Sequence, residues 1–560
     1  MPHHSPPSGK PVLGPRRRAL LAALAGAAVQ AAHQPARAGP ADAKPLLFEG
    51  LDGLKHDIET RHPLARRFFD QGMLLVYGFN PAEAVRSFEA TLAIAPQCAS
   101  AWWALAWALG PNINTDMTAL HHPPVQRARR LARQHAHRAP AWRRDCIAAL
   151  SLRHPGGERL DEQAYARRMQ ELARRHPRQA DVALLAAEAL LNLEPYDWWD
   201  SSGGANPGTP AIEALLQQAL QLAPAHPGAH HYGIHLQESS AQPQRAQDSA
   251  DVLRHAYPGS AHLLHMPSHI DMRLGHYAQA VRANQRAIEA DLRYLAQVDV
   301  SGSYRVGYVA HNHHFLWAAA SMAGQQQVAL AAAEAVNPVA CGPAQQNRGL
   351  ALMAHYAALP SLSKVRFGLW DDMLRNTPPP DSPSSYALAL WYYARATAAL
   401  RLGDAATALR EQKHLQRVAA RPGMANTRVK NINPVSTLLS MAQLTLRADF
   451  ALADARPADA VSLLREATAA EDSLAYDEPH LWLAPTRHAL GAALLAAGQP
   501  AQAEQAYRQD LAHYPANGWS LQGLALAQTA QGQAAAAAAT RAQASEAFAL
   551  AERRPQGSRY

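Results

Sequence analysis

From Leu64 onward apolar residues recur at the helical period, and Gly, Pro and polar clusters interrupt them, so the pattern predicts paired amphipathic helices along the chain. In the first pair Phe68, Gly72, Ala84, Phe88 and Pro96 run large, small, small, large and terminator. Small residues let two helices approach closely, and the proline stops the second helix before the next pair begins. Leu490, Gly491, Gly498, Tyr507 and Pro515 repeat that arrangement, and Gly498 stands 34 residues before Gly532. The same 34-residue step separates His231 from His265 and His235 from His269. A third copy follows a 15-residue insertion: Gly275 matches Gly324, and this shift of 49 lays His311 on His262 and His314 on His265. A fixed period of this length predicts a quasi-one-dimensional stack in which each pair meets its neighbours and equivalent positions lie side by side.

The segment Arg273-Leu274-Gly275-His276-Tyr277-Ala278-Gln279-Ala280 resembles the inter-helix turn of a tetratricopeptide (TPR) repeat. The resemblance implies an all-α, TPR-like α-solenoid of antiparallel helix pairs wound as a right-handed superhelix. It also implies a register. His262, His265 and His269 take positions 2, 5 and 9 of a first helix, and His231, His235 and Glu238 take 5, 9 and 12 of the preceding one. His311 and His314 take 2 and 5 of the following one. In that family these positions face the concave groove. Phe69-Asp70-Gln71-Gly72, Gly110-Pro111-Asn112-Ile113-Asn114, His262-Leu263-Leu264-His265-Met266-Pro267-Ser268-His269-Ile270 and His311-Asn312-His313-His314-Phe315-Leu316 are together similar to a group of exported bacterial TPR proteins. That likeness spans most of residues 46 to 375 and implies the fold, but no reaction. Relatives in that group often carry Cys-x-x-Cys where this chain has Cys98-Ala99-Ser100-Ala101, so no thiolate pair forms there.

Composition narrows the rest. Arg16-Arg17-Arg18 before an apolar stretch and Ala36-Arg37-Ala38 before Gly39 read as a signal peptide over residues 1–38, with some likeness to the twin-arginine type, and predict a periplasmic location. The five basic residues of that segment account for most of the formal charge of +8 and leave +3, which gives no ground for a nucleic-acid partner. Outside the leader no apolar run is long enough to cross a membrane. Residues 39–62 read as a polar connector, 63–345 as an N-terminal array with a histidine-lined groove, and 346–560 as a C-terminal array closed by an alanine-rich capping helix. Proline-rich breaks fall at Pro338 to Pro343 and Pro378 to Pro383. Three scattered cysteines allow one disulfide at most and no thiolate zinc site. The loop of Tyr196-Asp197-Trp198-Trp199 and the glycines and prolines after it is either a lid or a cover for an apolar groove.

The chemistry lies in the histidine stripe. The spacing i, i+3, i+7 puts His262, His265 and His269 on one helical face, and His231, His235 and Glu238 follow i, i+4, i+7. Eight candidate metal ligands result: His231, His235, Glu238, His262, His265, His269, His311 and His314. Imidazoles with a carboxylate suit copper, iron or zinc. One ion shared across the repeats requires ring nitrogens of His231, His265 and His314 to come within about 4 Å of one another. Pro267 either kinks the helix between His265 and His269 or starts a new one. Glu238, Tyr304 and Tyr308 are candidate proton carriers for a metal-dependent reaction, with oxidation read ahead of hydrolysis. His230 and His313 fall on positions packed within a repeat, and His226, His255 and His276 on turns or the outer face. The competing reading is a non-catalytic scaffold whose groove holds a protein, peptide or small molecule, the histidines serving as polar contacts.

Overall fold

A computed structural model describes residues 45–115, 121–156, 159–200, 203–300, 304–341, 351–379, 385–482 and 484–560. The predicted leader and the prolines at 380 and 383 lie outside them. Helices follow one another from Pro63 to Ala547 as antiparallel pairs, and β-structure among the described residues is confined to isolated bridges and one hairpin, Arg428–Val429 with Asn433–Pro434.

The first pair, Pro63–Tyr77 and Pro81–Ile94, shows how the pattern becomes packing. Each helix begins with proline, whose missing N–H has no partner to lose in a first turn. The Asn80 side chain accepts a hydrogen bond from the Glu83 N–H and caps the second helix. Gly72 faces Phe88 so closely that a Cβ there would stand 2.5 Å from the ring. In the C-terminal part Gly491 and Gly523 take the same role against Tyr507, at 2.3 and 2.2 Å. The last helix, Ala534–Ala547, buries only Ala537, Thr540 and Ala544, as a capping helix should.

The quasi-one-dimensional expectation fails wherever pairs distant in sequence meet, among them the C-terminal and central pairs. Trp519 Nε1 donates to the Ser321 carbonyl at 3.1 Å, and the Tyr277 hydroxyl donates to the Pro515 carbonyl at 3.0 Å. Arg366 stacks 3.8 Å over Trp519, while Phe548 and Tyr560 meet the edges of that indole. Val336, Tyr356, Phe367, Trp519 and Phe548 belong to one buried core. Gly275 permits the approach: left-handed at φ 80°, it ends the Pro267–Leu274 helix where a Cβ would lie 2.2 Å from the Pro515 carbonyl oxygen. The C-terminal pairs thus return against the central ones.

Pro267 answers the question raised by its position. The first helix is broken at Met266 into Ala261–His265 and Pro267–Leu274, and Met266 keeps helical angles. The proline starts a second segment, as one of the two predicted outcomes has it, yet His262 and His265 remain helical. Among the described residues no helix is long and apolar enough to cross a membrane.

Candidate metal centre

Three helices carry the histidines: Pro227–Glu238, the broken helix Ala261–His265 with Pro267–Leu274, and Ala310–Met322. A wider π-helical turn, Arg305–Val309, leads into the last of them. Their rings gather in two adjoining triads. In His231, His235 and His262 one ring nitrogen each lies within 4.8 Å of the others, and the same holds for His265, His269 and His311. Where the triads meet, ring centroids are 5.8 Å apart for His262 and His265 and 5.7 Å for His235 and His269.

Hydrogen-bond partners fix which nitrogen each ring turns inward. His231 donates from Nδ1 to the Tyr77 carbonyl at 2.5 Å, so its Nε2 carries a lone pair. His235 donates from Nδ1 to Glu238 Oε1 at 3.1 Å, and its buried Nε2 has no partner. His262 Nε2 stands 3.0 Å from His231 Nε2, and its buried Nδ1 is unpartnered. In the second triad His265 donates from Nδ1 to Asn284 Oδ1 at 2.7 Å, an orientation set by the Asn284 amide donating to the Ala280 carbonyl. Its Nε2 meets His269 Nε2 at 2.8 Å. His269 Nδ1 is paired with both Glu238 and Glu478.

Charge follows from this arrangement. Burial lowers the pKa values of His231, His262, His265 and His311, and neighbouring histidines add to the effect, so these rings are neutral. His269 is the exception. Burial works against its charge, but the carboxylates of Glu478 and Glu238 overcome it and push the ring up to about 10. Glu238 is buried too, yet His269 and His235 hold it well below the usual carboxylate range, whereas burial and Glu238 itself push Glu478 up to about 7.

Of the eight predicted ligands, seven stand in this cluster. Six are the triad histidines, and Glu238 sits behind two of the rings, where it also groups with His269 and Glu478. His314 does not join them. Its ring packs on Trp317, His355 and Tyr356 at 5.2–5.5 Å, from its own and the next first helix. A single ion shared by His231, His265 and His314 is therefore corrected: the first two belong to different triads and the third to neither. Among the proposed proton carriers, Tyr308 lies against His262 with ring centroids 5.0 Å apart. Tyr304 instead donates to Asp291 Oδ1 at 2.9 Å, away from the rings. His226, expected on a turn or outer face, is buried and contacts Asp181.

Sequence reasoning missed three participants. Glu478 comes from the stretch between Pro457–Asp472 and Thr486–Ala496, 209 residues from His269. Its one signal is that a long connection in a compact array is often functional. Lys430, on the hairpin, donates to Asp477 Oδ1 and to the Glu478 carbonyl, both at 2.7 Å, and fixes that stretch over the groove. Phe79 packs on His231 at 4.4 Å and stacks on His235 and His262, from a left-handed backbone at φ 53°. Such a conformation is costly for a bulky residue and tends to occur where function demands it. The aromatic loop divides: Trp198 is buried and Trp199 donates to the Leu236 carbonyl, while Tyr196 reaches Asn114 at 2.6 Å, beside Tyr308. Cys98 and Cys146 are buried and free.

No family model matches the chain, and no curated protein matches it. The similar solved structures include a human IFIT1 dimer with m7Gppp-AAAA, at 12% identity and TM-score 0.29, covering 88% of this chain and 91% of that one. Yeast Tom70 is similar at 12% identity and TM-score 0.26, with 84% and 89% covered. The P58(IPK) TPR domain is similar at 11% identity and TM-score 0.21, with 84% and 98% covered. None of these likenesses bears on what the groove holds. By its own helix pairs, turn residues and small-against-large packing, the chain is an all-α, TPR-like solenoid.

Proposed function

We propose that this chain is an exported transition-metal protein and that His231, His235 and His262 hold the ion. One observation carries the reading: in a buried cluster His231 turns its Nε2 lone pair toward His262 and His235 presents an unpartnered Nε2, each ring fixed by a donor bond from Nδ1. A backbone carbonyl or carboxylate behind a ligating imidazole is what sets its tautomer in metal sites. Without a cation, His235 Nε2 and His262 Nδ1 are desolvated and unsatisfied, which is costly for a polar group. Neutral imidazoles with no thiolate suit copper, zinc or iron. The scaffold reading has less support, because the chain's own Tyr476–Glu478 stretch already lies over the groove and donates from Tyr476 to the Glu238 carbonyl at 3.2 Å.

Elemental analysis of the purified chain beside a His231→Ala variant tests this. Near-stoichiometric metal that falls by about one equivalent in the variant is the expected result. A chain that is metal-free as purified and takes up neither Cu2+ nor Zn2+ overturns it. The metal's identity then directs the assay, with copper or iron pointing to oxidation and zinc to hydrolysis.

A further inference from the structure

We propose a second cation position, at His265, His269 and His311, so that the groove holds an adjoining pair of metal ions. The inference rests on the metal-protein reading above and extends it to nuclearity.

Three observations converge on it. The second triad has the convergence of the first, with one nitrogen of each ring within 4.8 Å of the others. Its orientation is built in the same manner: Asn284 holds His265 by Nδ1, and Glu238 and Glu478 hold His269 by Nδ1, which leaves the two Nε2 atoms 2.8 Å apart. Both nitrogens lie within reach of a ring nitrogen of His311. The third observation is charge. Two buried carboxylates converge on one histidine, while the nearby Lys430 is paired with Asp477. A metal ion bound at Nε2 would take the place of a ring proton and set a larger positive charge against the two carboxylates, at close range and out of water.

Glu238 ties the two positions together. Its Oε1 accepts from His235 of one triad, and its other oxygen pairs with His269 of the other. The positions differ in access. His231, His235 and His262 are all buried, whereas His311 is partly exposed, so a small oxygen-donor ligand would reach the second ion first. Paired ions a few ångströms apart, about 3.5–4 Å in known two-metal sites, share such a ligand between them.

The test is a metal count on the full chain, titrated with Cu2+ and, separately, Zn2+, with Cu2+ also read by electron paramagnetic resonance. The expected result is about two equivalents in the unmodified chain and about one in each of His231→Ala and His265→Ala. Copper signal intensity per ion should be reduced in the unmodified chain and restored in both variants, because neighbouring Cu2+ ions couple. His311→Ala, at a partly exposed position, gives the same reading should His265→Ala fail to fold. One equivalent lost in His231→Ala and kept in His265→Ala and His311→Ala overturns the second position and leaves the proposed function standing. A single equivalent in the unmodified chain that survives His231→Ala undiminished overturns both the pairing and the assignment of the first ion. No binding at all removes both readings.

Discussion

His488 and His231 are both fully buried histidines on first helices of their pairs, yet their surroundings differ in one respect. His488 donates from Nε2 to Asp510 Oδ2 at 3.0 Å, and its Nδ1 accepts from Arg366 at 3.1 Å, so both nitrogens are satisfied within the protein. His56 is likewise enclosed, with Asp70 at 3.0 Å on one nitrogen and Asp181 at 3.7 Å on the other. His231 has one such partner, and its second nitrogen meets another histidine. Burial alone therefore does not separate a packing histidine from a ligand. What sets His231 apart from these two is that its second nitrogen meets another imidazole within a converging group of three.

The strongest way to break this contrast is His488→Ala. It strips Asp510 and Arg366 of a shared partner inside the core, so the urea midpoint should fall by the equivalent of about 3 kcal/mol or more, with metal content unchanged. Metal loss without destabilisation would place His488 among the ligands instead. Next in size is Glu478→Gln, which removes a carboxylate from behind His269. Loss of such a supporting group typically weakens metal binding by about 10–100-fold, measurable by competition with a chelator. Unchanged affinity would mean that Glu478 serves only to close the loop.

A smaller effect concerns pH. Burial alone would lower the pKa of His56, but Asp181 and Asp70 overcome it and push the group up to about 9. A value raised in the folded state contributes stability that is full below the unfolded value, about 6.5, and is lost as pH rises through about 9. Burial opposes the charge of Asp181 too, yet His226 and His56 hold it well below the usual range, so its contribution is present above about 4 and fades at lower pH. His56→Gln should therefore lower the melting temperature more at pH 6 than at pH 10, and an equal loss at both would show that the ring acts uncharged. The smallest effect is expected at His314→Ala, which should leave the metal count untouched. A drop there would restore His314 to the ligand set.

The fold was legible because it repeats. Gly72 against Phe88 and Gly491 against Tyr507 are short-range packing rules that recur along the chain, and the 34-residue step carries them from pair to pair. That step, lengthened by the 15-residue insertion for His311, and the register of the inter-helix turn together pick out the six triad histidines and Glu238. The step misplaced His314 because equivalence under a repeat shift fixes a backbone position and not the neighbour a ring meets. One repeat further on, that neighbour is His355. Glu478 escaped for the opposite reason: it lies between helices, outside any repeat position, and reaches the site only because the C-terminal pairs fold back through Trp519 and Pro515. No local pattern encodes that return. Tyr304 is close to the stripe in sequence, but its hydroxyl donates to Asp291, which also accepts from Asn312.

The Glu478 contact also sets an order of events during synthesis. Glu478 follows His311 by 167 residues, so a nascent chain can present every triad histidine to the surroundings before its second carboxylate exists. The closing segment is also made after Lys430, whose ammonium group holds it in the finished chain. Any ion acquired early would sit in an unlidded groove and exchange freely, and only the finished chain would retain it.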